Sequence, residues 1–167
     1  NVLGVHDQKQ EGLQWVGANV VGGRLQGDDM MRIAELAEKY GSGEIRLTVE
    51  QNFIIPNVPK GKVEEMLKDE LFSRYSTKPG KIVGNIVACT GQQFCGFAQI
   101  ETKQNAYKLA EHLESVLDFP KDVRMIWTGC PNSCAPVQVA DVGLMGAQVK
   151  DPSGAKGMVP GVNIFIG

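Results

Sequence analysis

Histidine, aromatic side chains and long apolar runs are all scarce in this 167-residue chain. No stretch approaches the roughly 20 apolar residues of a membrane-spanning helix, so no membrane partner is expected. The opening segment NVLGVHDQKQ is too polar to be the apolar core of a signal peptide. Basic runs are missing too: 17 Lys and Arg stand against 19 Asp and Glu, net charge -2, whereas a nucleic-acid footprint needs clustered cations. No nucleic-acid partner is expected. The chain begins at Asn1 rather than Met and stops in VNIFIG, which reads as a strand cut off as it forms; a piece of a longer protein is expected. Cysteine is absent from the first 88 residues and the last 33, so all four fall between Cys89 and Cys134 as one constellation.

Glycine is abundant instead, 20 of 167 residues, about 12% where roughly 7% is usual, which suits a backbone that must turn tightly around a cofactor. The first half alternates between strand and helix patterns. Residues 15–21 suggest a strand, and Asp28 and Asp29 offer N-cap chemistry for a helix that turns Met30, Ile33, Ala34, Ala37 and Tyr40 inward and ends with Gly41 at C′. In residues 44–50, Ile45, Leu47 and Val49 alternate with Arg46, Thr48 and Glu50, the period of a strand with one buried face. Residues 53–58 form a second apolar run, closed by Pro56 and Pro59, and Val63, Met66, Leu67 and Leu71 return at helical spacing. A polar stretch, residues 73–81, breaks both periodicities and sets a boundary near Pro79. The expected domains are residues 1–78 and 79–167.

Beyond that seam, residues 82–88 read as a buried strand running into Cys89. A long amphipathic helix is expected from about Ala98 to Leu117, from Ala106, Leu109, Ala110, Leu113, Val116 and Leu117. Residues 123–127 form a short strand that delivers Cys130 across Thr128-Gly129, and residues 137–145 and 162–166 give two more strands around the turn-rich DPSGAKG. Each of two strand-to-loop junctions therefore presents two cysteines.

The spacing is C-x5-C, then 34 residues, then C-x3-C. Two soft anionic ligands from each of two loops suit a tetrahedral metal or an iron–sulfur cubane, and ligand count does not choose between them. Zinc pairs usually stand two to four residues apart, which makes the first pair wide. Disulfides are the weakest alternative in a chain large enough to build a core unaided. Gly91, Gly96 and Gly129 beside the thiols would let amides approach sulfur, and Pro131 stiffens the second loop.

ACTGQQFCGFAQIETK (88–103) and VRMIWTGCPNSCAPVQVADVGLMG (123–146) resemble the cluster-binding region of the nitrite/sulfite reductase family, on its ferredoxin-dependent, nitrite-reducing branch. GSGEIRLTVEQNFIIPNV (41–58) is similar to the second ferredoxin-like half of the same enzymes. The resemblance covers nearly the whole chain in the family's order. It implies an α/β (α+β) fold, a ferredoxin-like half-domain followed by a sirohaem- and 4Fe-4S-binding α/β domain. It also implies that Cys89, Cys95, Cys130 and Cys134 ligate a 4Fe-4S cluster, with Cys134 bridging to the iron of a sirohaem. The implied reaction is the six-electron reduction of nitrite to ammonium, fed by reduced ferredoxin. Sulfite reductases share the cysteine pattern, and TGQQFCG followed by IETK favours nitrite. Sulfite reduction and a non-enzymatic four-cysteine zinc module stay as alternatives.

The substrate-binding Arg and Lys residues belong, on this resemblance, to an N-terminal half outside the chain, so no catalytic residue is assigned. Asn132, between Cys130 and Cys134, is a candidate haem contact or a loop cap. Arg46 and Arg24 are weaker haem candidates, read first as a strand-face and a turn residue. His6 and His112 are not read as ligands, Trp15 and Trp127 are read as packing, and Lys103 and Lys108 as a solvated helix face or a ferredoxin contact. Ala135 stands where the family commonly has glycine. A chloroplast stroma is expected, or a cyanobacterial cytoplasm, with a monomeric full-length protein.

Overall fold

The computed structural model of the chain describes residues 2–155 and 157–167; Lys156, in the expected DPSGAKG turn, lies outside them. Its contacts divide it into two units, Asn1–Pro79 and Gly80–Gly167. The α/β (α+β) class expected from the sequence is observed, with one four-stranded sheet in each unit.

In the first unit, β1 (Gly4–Asp7), β2 (Leu13–Ala18), β3 (Arg46–Leu47) and β4 (Phe53–Pro59) form an antiparallel sheet in the order β1-β2-β4-β3. Helix α1 (Gly27–Tyr40) packs on β4, followed by two single-turn helices, α2 (Val63–Met66) and α3 (Leu71–Arg74). Ile33, Leu36, Ala37 and Tyr40 meet Val16, Phe53, Ile55 and Val58 in one core, and each such aliphatic or aromatic burial stabilises by about 1.5–3 kcal/mol. β4 tolerates Pro56 because it has no register partner on either side: β3 pairs only with Phe53 and Ile54, and the β2 register is broken between Ile55 and Val58.

Several expectations for this unit need correction. Met30 is 55% exposed, because Asp29 takes the inward place in the first turn, held by Arg74 at 2.5 Å and Tyr75 at 2.7 Å. The helix starts after Gln26 with no side-chain cap, so Asp28 and Asp29 act from inside the first turn, where a carboxylate suits the helix dipole. Gly41 has φ -118 and is not left-handed; its added Cβ would lie 2.7 Å from Pro56 O, and the left-handed residue is Gly43. The strand expected over 44–50 shrinks to two residues, with Leu47 and Val49 exposed. A turn through Gln51, where Thr48 accepts from Gln51 N–H at 3.0 Å, ends the edge strand early.

The second unit is a β-α-β unit extended by a hairpin. β5 (Ile86–Ala88), β6 (Met125–Thr128) and β7 (Val142–Lys150) run parallel, and β8 (Met158–Ile166) returns antiparallel on β7. Helix α4 (Lys103–Val116) connects β5 to β6 and buries Ala106 and Ala110. Every residue of β5 and β6 is buried, as strands covered on both faces must be. One face carries Val87 and Ile126 against Ala135, Val137, Ala140 and Met145. Three expected elements begin later than their patterns: residues 83–85 and 137–139 are 3-10 turns rather than strand, and α4 begins at Lys103 instead of Ala98.

Candidate functional site

Both cysteine pairs leave the carboxyl ends of adjacent parallel strands, the edge where open α/β sheets hold ligands. Cys89 follows β5 directly, and Cys130 follows β6 after Gly129. Ala88 and Trp127 are register partners, and Cys89 N–H donates to Trp127 O at 3.0 Å, so the ladder itself brings the two loops together.

All four cysteines line one cavity of about 430 Å³, with Thr90, Phe94, Phe97, Thr128 and Asn132 among its other walls. None forms a disulfide; Cys130 is buried, Cys89 and Cys95 half-buried, and Cys134 exposed. Phe94 and Phe97 leave large aromatic surfaces exposed at the rim. No three His, Cys, Asp or Glu side chains among the described residues stand close enough to hold one metal ion.

Each loop is shaped by one left-handed residue. Gly91, φ +77, accepts from Cys95 N–H at 3.0 Å, and a Cβ there would meet Thr102 Oγ1 at 2.7 Å. Ser133, φ +50, donates from its N–H to Cys130 O at 3.2 Å. Gly129 brings its amide to sulfur: its N–H donates to Cys89 Sγ at 3.1 Å, and a Cβ would strike Ala98 Cβ at 2.7 Å. The same close approach is absent at Gly96, where an added Cβ meets nothing.

Glu101, Thr102 and Lys103 fasten the first loop at three backbone points. Glu101 Oε2 accepts from Gln93 N–H at 3.3 Å, Thr102 Oγ1 donates to Cys89 O at 2.7 Å, and Lys103 Nζ donates to Ala88 O at 3.0 Å. This explains the late start of α4. Thr102 is its N-cap residue, yet its hydroxyl serves the cysteine loop and caps nothing. Lys103 is thus half-buried at the loop rather than on a solvated face, whereas Lys108 is exposed.

The remaining sequence candidates separate from this cavity. Arg46 pairs with Glu44 at 2.7 Å, which holds the Glu44 carboxyl below the usual range, and it lines a different cavity within the first unit. Arg24 is exposed after a 3-10 turn. His6 stacks on Trp15 with centroids 4.1 Å apart and lies 2.8 Å from Leu3 O, while His112 is exposed on α4. Trp127 is buried in β6. Asn132 does line the cysteine cavity, exposed. Ala135 is buried in the sheet-face core, against which Cys89 also packs, and is not among the cavity walls.

Sequence reasoning missed Thr102 and Thr128. Among the described residues, three buried polar atoms have no partner: Glu101 Oε1, Trp127 Nε1 and Thr128 Oγ1, of which only Thr128 belongs to a residue lining the cavity. The available signal was position, immediately before GCP at a strand end for Thr128 and at the start of α4 for Thr102.

Residues 6–71 match the nitrite/sulfite reductase ferredoxin-like half domain, and residues 80–167 match the nitrite and sulphite reductase 4Fe-4S domain. The chain is 53% identical over 165 residues to the chloroplastic ferredoxin–nitrite reductase of Oryza sativa subsp. japonica, covering 99% of this chain and 27% of that protein. To the ferredoxin–nitrite reductase of Synechococcus elongatus it is 51% identical, covering 99% of this chain and 32% of that protein. In three dimensions it resembles the NirA protein of Mycobacterium tuberculosis with TM-score 0.86 and 32% identity, over 98% of this chain and 30% of that one. The chain therefore spans less than a third of the length of these relatives.

Proposed function

The chain belongs to the nitrite and sulphite reductase family, and on that footing we propose that it is the cluster-bearing part of a ferredoxin-dependent nitrite reductase. Cys89, Cys95, Cys130 and Cys134 would hold a 4Fe-4S cluster, and Cys134 would also help to hold a sirohaem. When bound, the two groups supply a six-electron reduction of nitrite to ammonium, with reduced ferredoxin as the donor.

One observation carries this reading: four cysteines, two from each of two adjacent strand-end loops, line a single cavity. The all-sulfur donor set fits a 4Fe-4S cluster, the group in the description of the domain that residues 80–167 match. The unpartnered Thr128 hydroxyl in the cavity wall fits a site built for a group with acceptor atoms.

The chain's own residues then have defined tasks. Gly129 N–H, 3.1 Å from Cys89 Sγ, stabilises negative charge on that sulfur. Thr102 and Lys103 fix the carbonyls at and before Cys89, which orients the thiol at the end of β5. Cys134 is the exposed thiol, which suits a sulfur shared with a second group. Asn132 stands beside it in the cavity wall as the haem-contact candidate. Nitrite is bound by Arg and Lys residues contributed by sequence outside this chain.

Nitrite is preferred over sulfite because the relatives named above, at 51–53% identity, carry nitrite reductase names. The chloroplastic plant relatives support a chloroplast stroma, with a cyanobacterial cytoplasm as the alternative suggested by Synechococcus; the described residues contain no helix long and apolar enough to cross a membrane. A monomeric full-length protein completes the proposal. The test is metal and sulfide analysis of the intact protein with Cys134→Ser and Cys89→Ser variants. Iron and acid-labile sulfide are expected, with both cluster and haem spectra lost in Cys134→Ser and mainly the cluster's in Cys89→Ser. Colourless protein holding one zinc per chain overturns the reading, a Cys134→Ser protein with a normal haem-coupled spectrum overturns the bridge, and faster turnover of sulfite than nitrite overturns the substrate.

A further inference from the structure

Thr128 is 1% exposed, its Oγ1 has no hydrogen-bond partner among the described residues, and the residue lines the cavity shared by the four cysteines. A buried hydroxyl left without a partner costs about 1–3 kcal/mol, and of the three such atoms only Thr128 Oγ1 belongs to a residue of this cavity wall, where an acceptor would relieve that cost. The strand geometry agrees. Side chains alternate along β6, so Thr128 shares a face with Ile126, and Ile126 packs in the cluster that also contacts Cys89 and Ala135. Thr128 therefore stands on the sheet face over which the cysteine loops fold. Trp127, pointing the other way, has its own unpartnered Nε1 but is not among the cavity's walls. The next residue already makes the same kind of contact from the backbone, Gly129 N–H to Cys89 Sγ.

We propose that the Thr128 hydroxyl donates a hydrogen bond to a sulfur of the group held by the four cysteines and thereby sets its reduction potential. This rests on the cluster reading above and extends it to a residue that is not a ligand. A hydroxyl rotates freely to aim its proton. An O–H···S bond strengthens as the sulfur gains negative charge, so it favours the reduced state and raises the potential. No bond is made or broken by Thr128 and no proton leaves it. Its role is to hold a donor in a dry wall where the bond counts most.

The test compares wild type, Thr128→Val, Thr128→Ala and Thr128→Ser in the full-length protein, by redox titration followed through the electron paramagnetic resonance of the reduced cluster, with iron and acid-labile sulfide measured on each. Valine keeps the shape and removes the donor, alanine removes both without overfilling the wall, and serine restores the hydroxyl. At the wild-type midpoint, the ratio of reduced to oxidised cluster is expected to fall about five-fold in Thr128→Val and Thr128→Ala, and to return toward wild type in Thr128→Ser, at unchanged iron and sulfide content. Equal midpoints for wild type and Thr128→Val overturn the inference and leave the cluster reading intact. Should Thr128→Val fail to load, equal midpoints for Thr128→Ala and Thr128→Ser overturn it in the same way. Wild-type protein without iron and acid-labile sulfide overturns the cluster reading, and this inference with it.

Discussion

Replacing Thr102 with valine removes one oxygen from the frame that holds the first cysteine loop and changes almost nothing else. The side chain is fully buried, and its hydroxyl donates to Cys89 O at 2.7 Å. Valine has nearly the same shape, but a methyl cannot donate, so the Cys89 carbonyl loses that partner within the protein. The lost bond and the stranded carbonyl together cost about 1–3 kcal/mol. No loss of helix capping enters the sum, because the Thr102 hydroxyl caps nothing in α4. If loss of the cluster requires the 89–95 loop to open, that energy appears as about a five- to 150-fold faster loss. The assay is the bleaching of cluster absorbance of the intact protein in the presence of an iron chelator, with Thr102→Ser as the variant that keeps the hydroxyl. Thr102→Ser should bleach near the wild-type rate. Equal bleaching rates for wild type and Thr102→Val would refute the reasoning, because the hydroxyl would then be a bystander to the loop.

Gly146→Ala tests the packing of the second loop on β7. Its Cβ would lie 2.3 Å from Gly129 O and 2.8 Å from Gly129 C, backbone atoms that cannot swing aside. A loss of about 1–3 kcal/mol or more is expected, seen as a lower urea midpoint than Gly61→Ala, where an added methyl meets nothing; matching midpoints would contradict the packing. Asp29 tests the first unit: hydrogen bonds from Tyr75 and then from Arg74 hold its carboxyl below the usual range. A depressed folded-state value stabilises above the ordinary carboxylate pKa of about 3.9 and is lost as pH falls through the folded value. Acid unfolding followed by circular dichroism should therefore be flatter below about pH 4 in Asp29→Asn than in wild type, and identical acid limbs would contradict this.

The cysteine constellation was legible because one apolar run ends on Cys89 and another two residues short of Cys130, and parallel pairing of such strands leaves the thiols at the same edge. Element boundaries were less legible wherever the backbone serves the site. The apolar pattern that suggested a helix from Ala98 is real, yet residues 98–102 form the return of the cysteine loop, with Ala98 N–H donating to Cys95 O at 3.2 Å and Gln99 N–H to Gly129 O at 2.7 Å. The alternation of Ile45, Leu47 and Val49 misled for another reason. Period two identifies a strand's faces but not which of them is covered, and this strand lies at a sheet edge. Hydroxyl roles escaped altogether: Thr102 acts on a carbonyl 13 residues away, a pairing that no local pattern encodes.

The unequal spacings within the two cysteine pairs follow from how each loop turns. In C-x3-C the chain bends once, at left-handed Ser133, behind Pro131, and then descends through Ala135 into the sheet-face core. In C-x5-C it leaves β5 through Thr90, reverses at left-handed Gly91, and makes a turn closed by Cys95 N–H to Gly91 O before the second thiol arrives. Gln92, Gln93 and Phe94, which make up that turn, are exposed. A side chain at Gly91 would be strained by its φ and would press on Thr102, so the wider spacing depends on that one glycine. One left-handed residue thus turns each loop so that both of its thiols reach the same cavity, and in the wider pair that residue has to be a glycine.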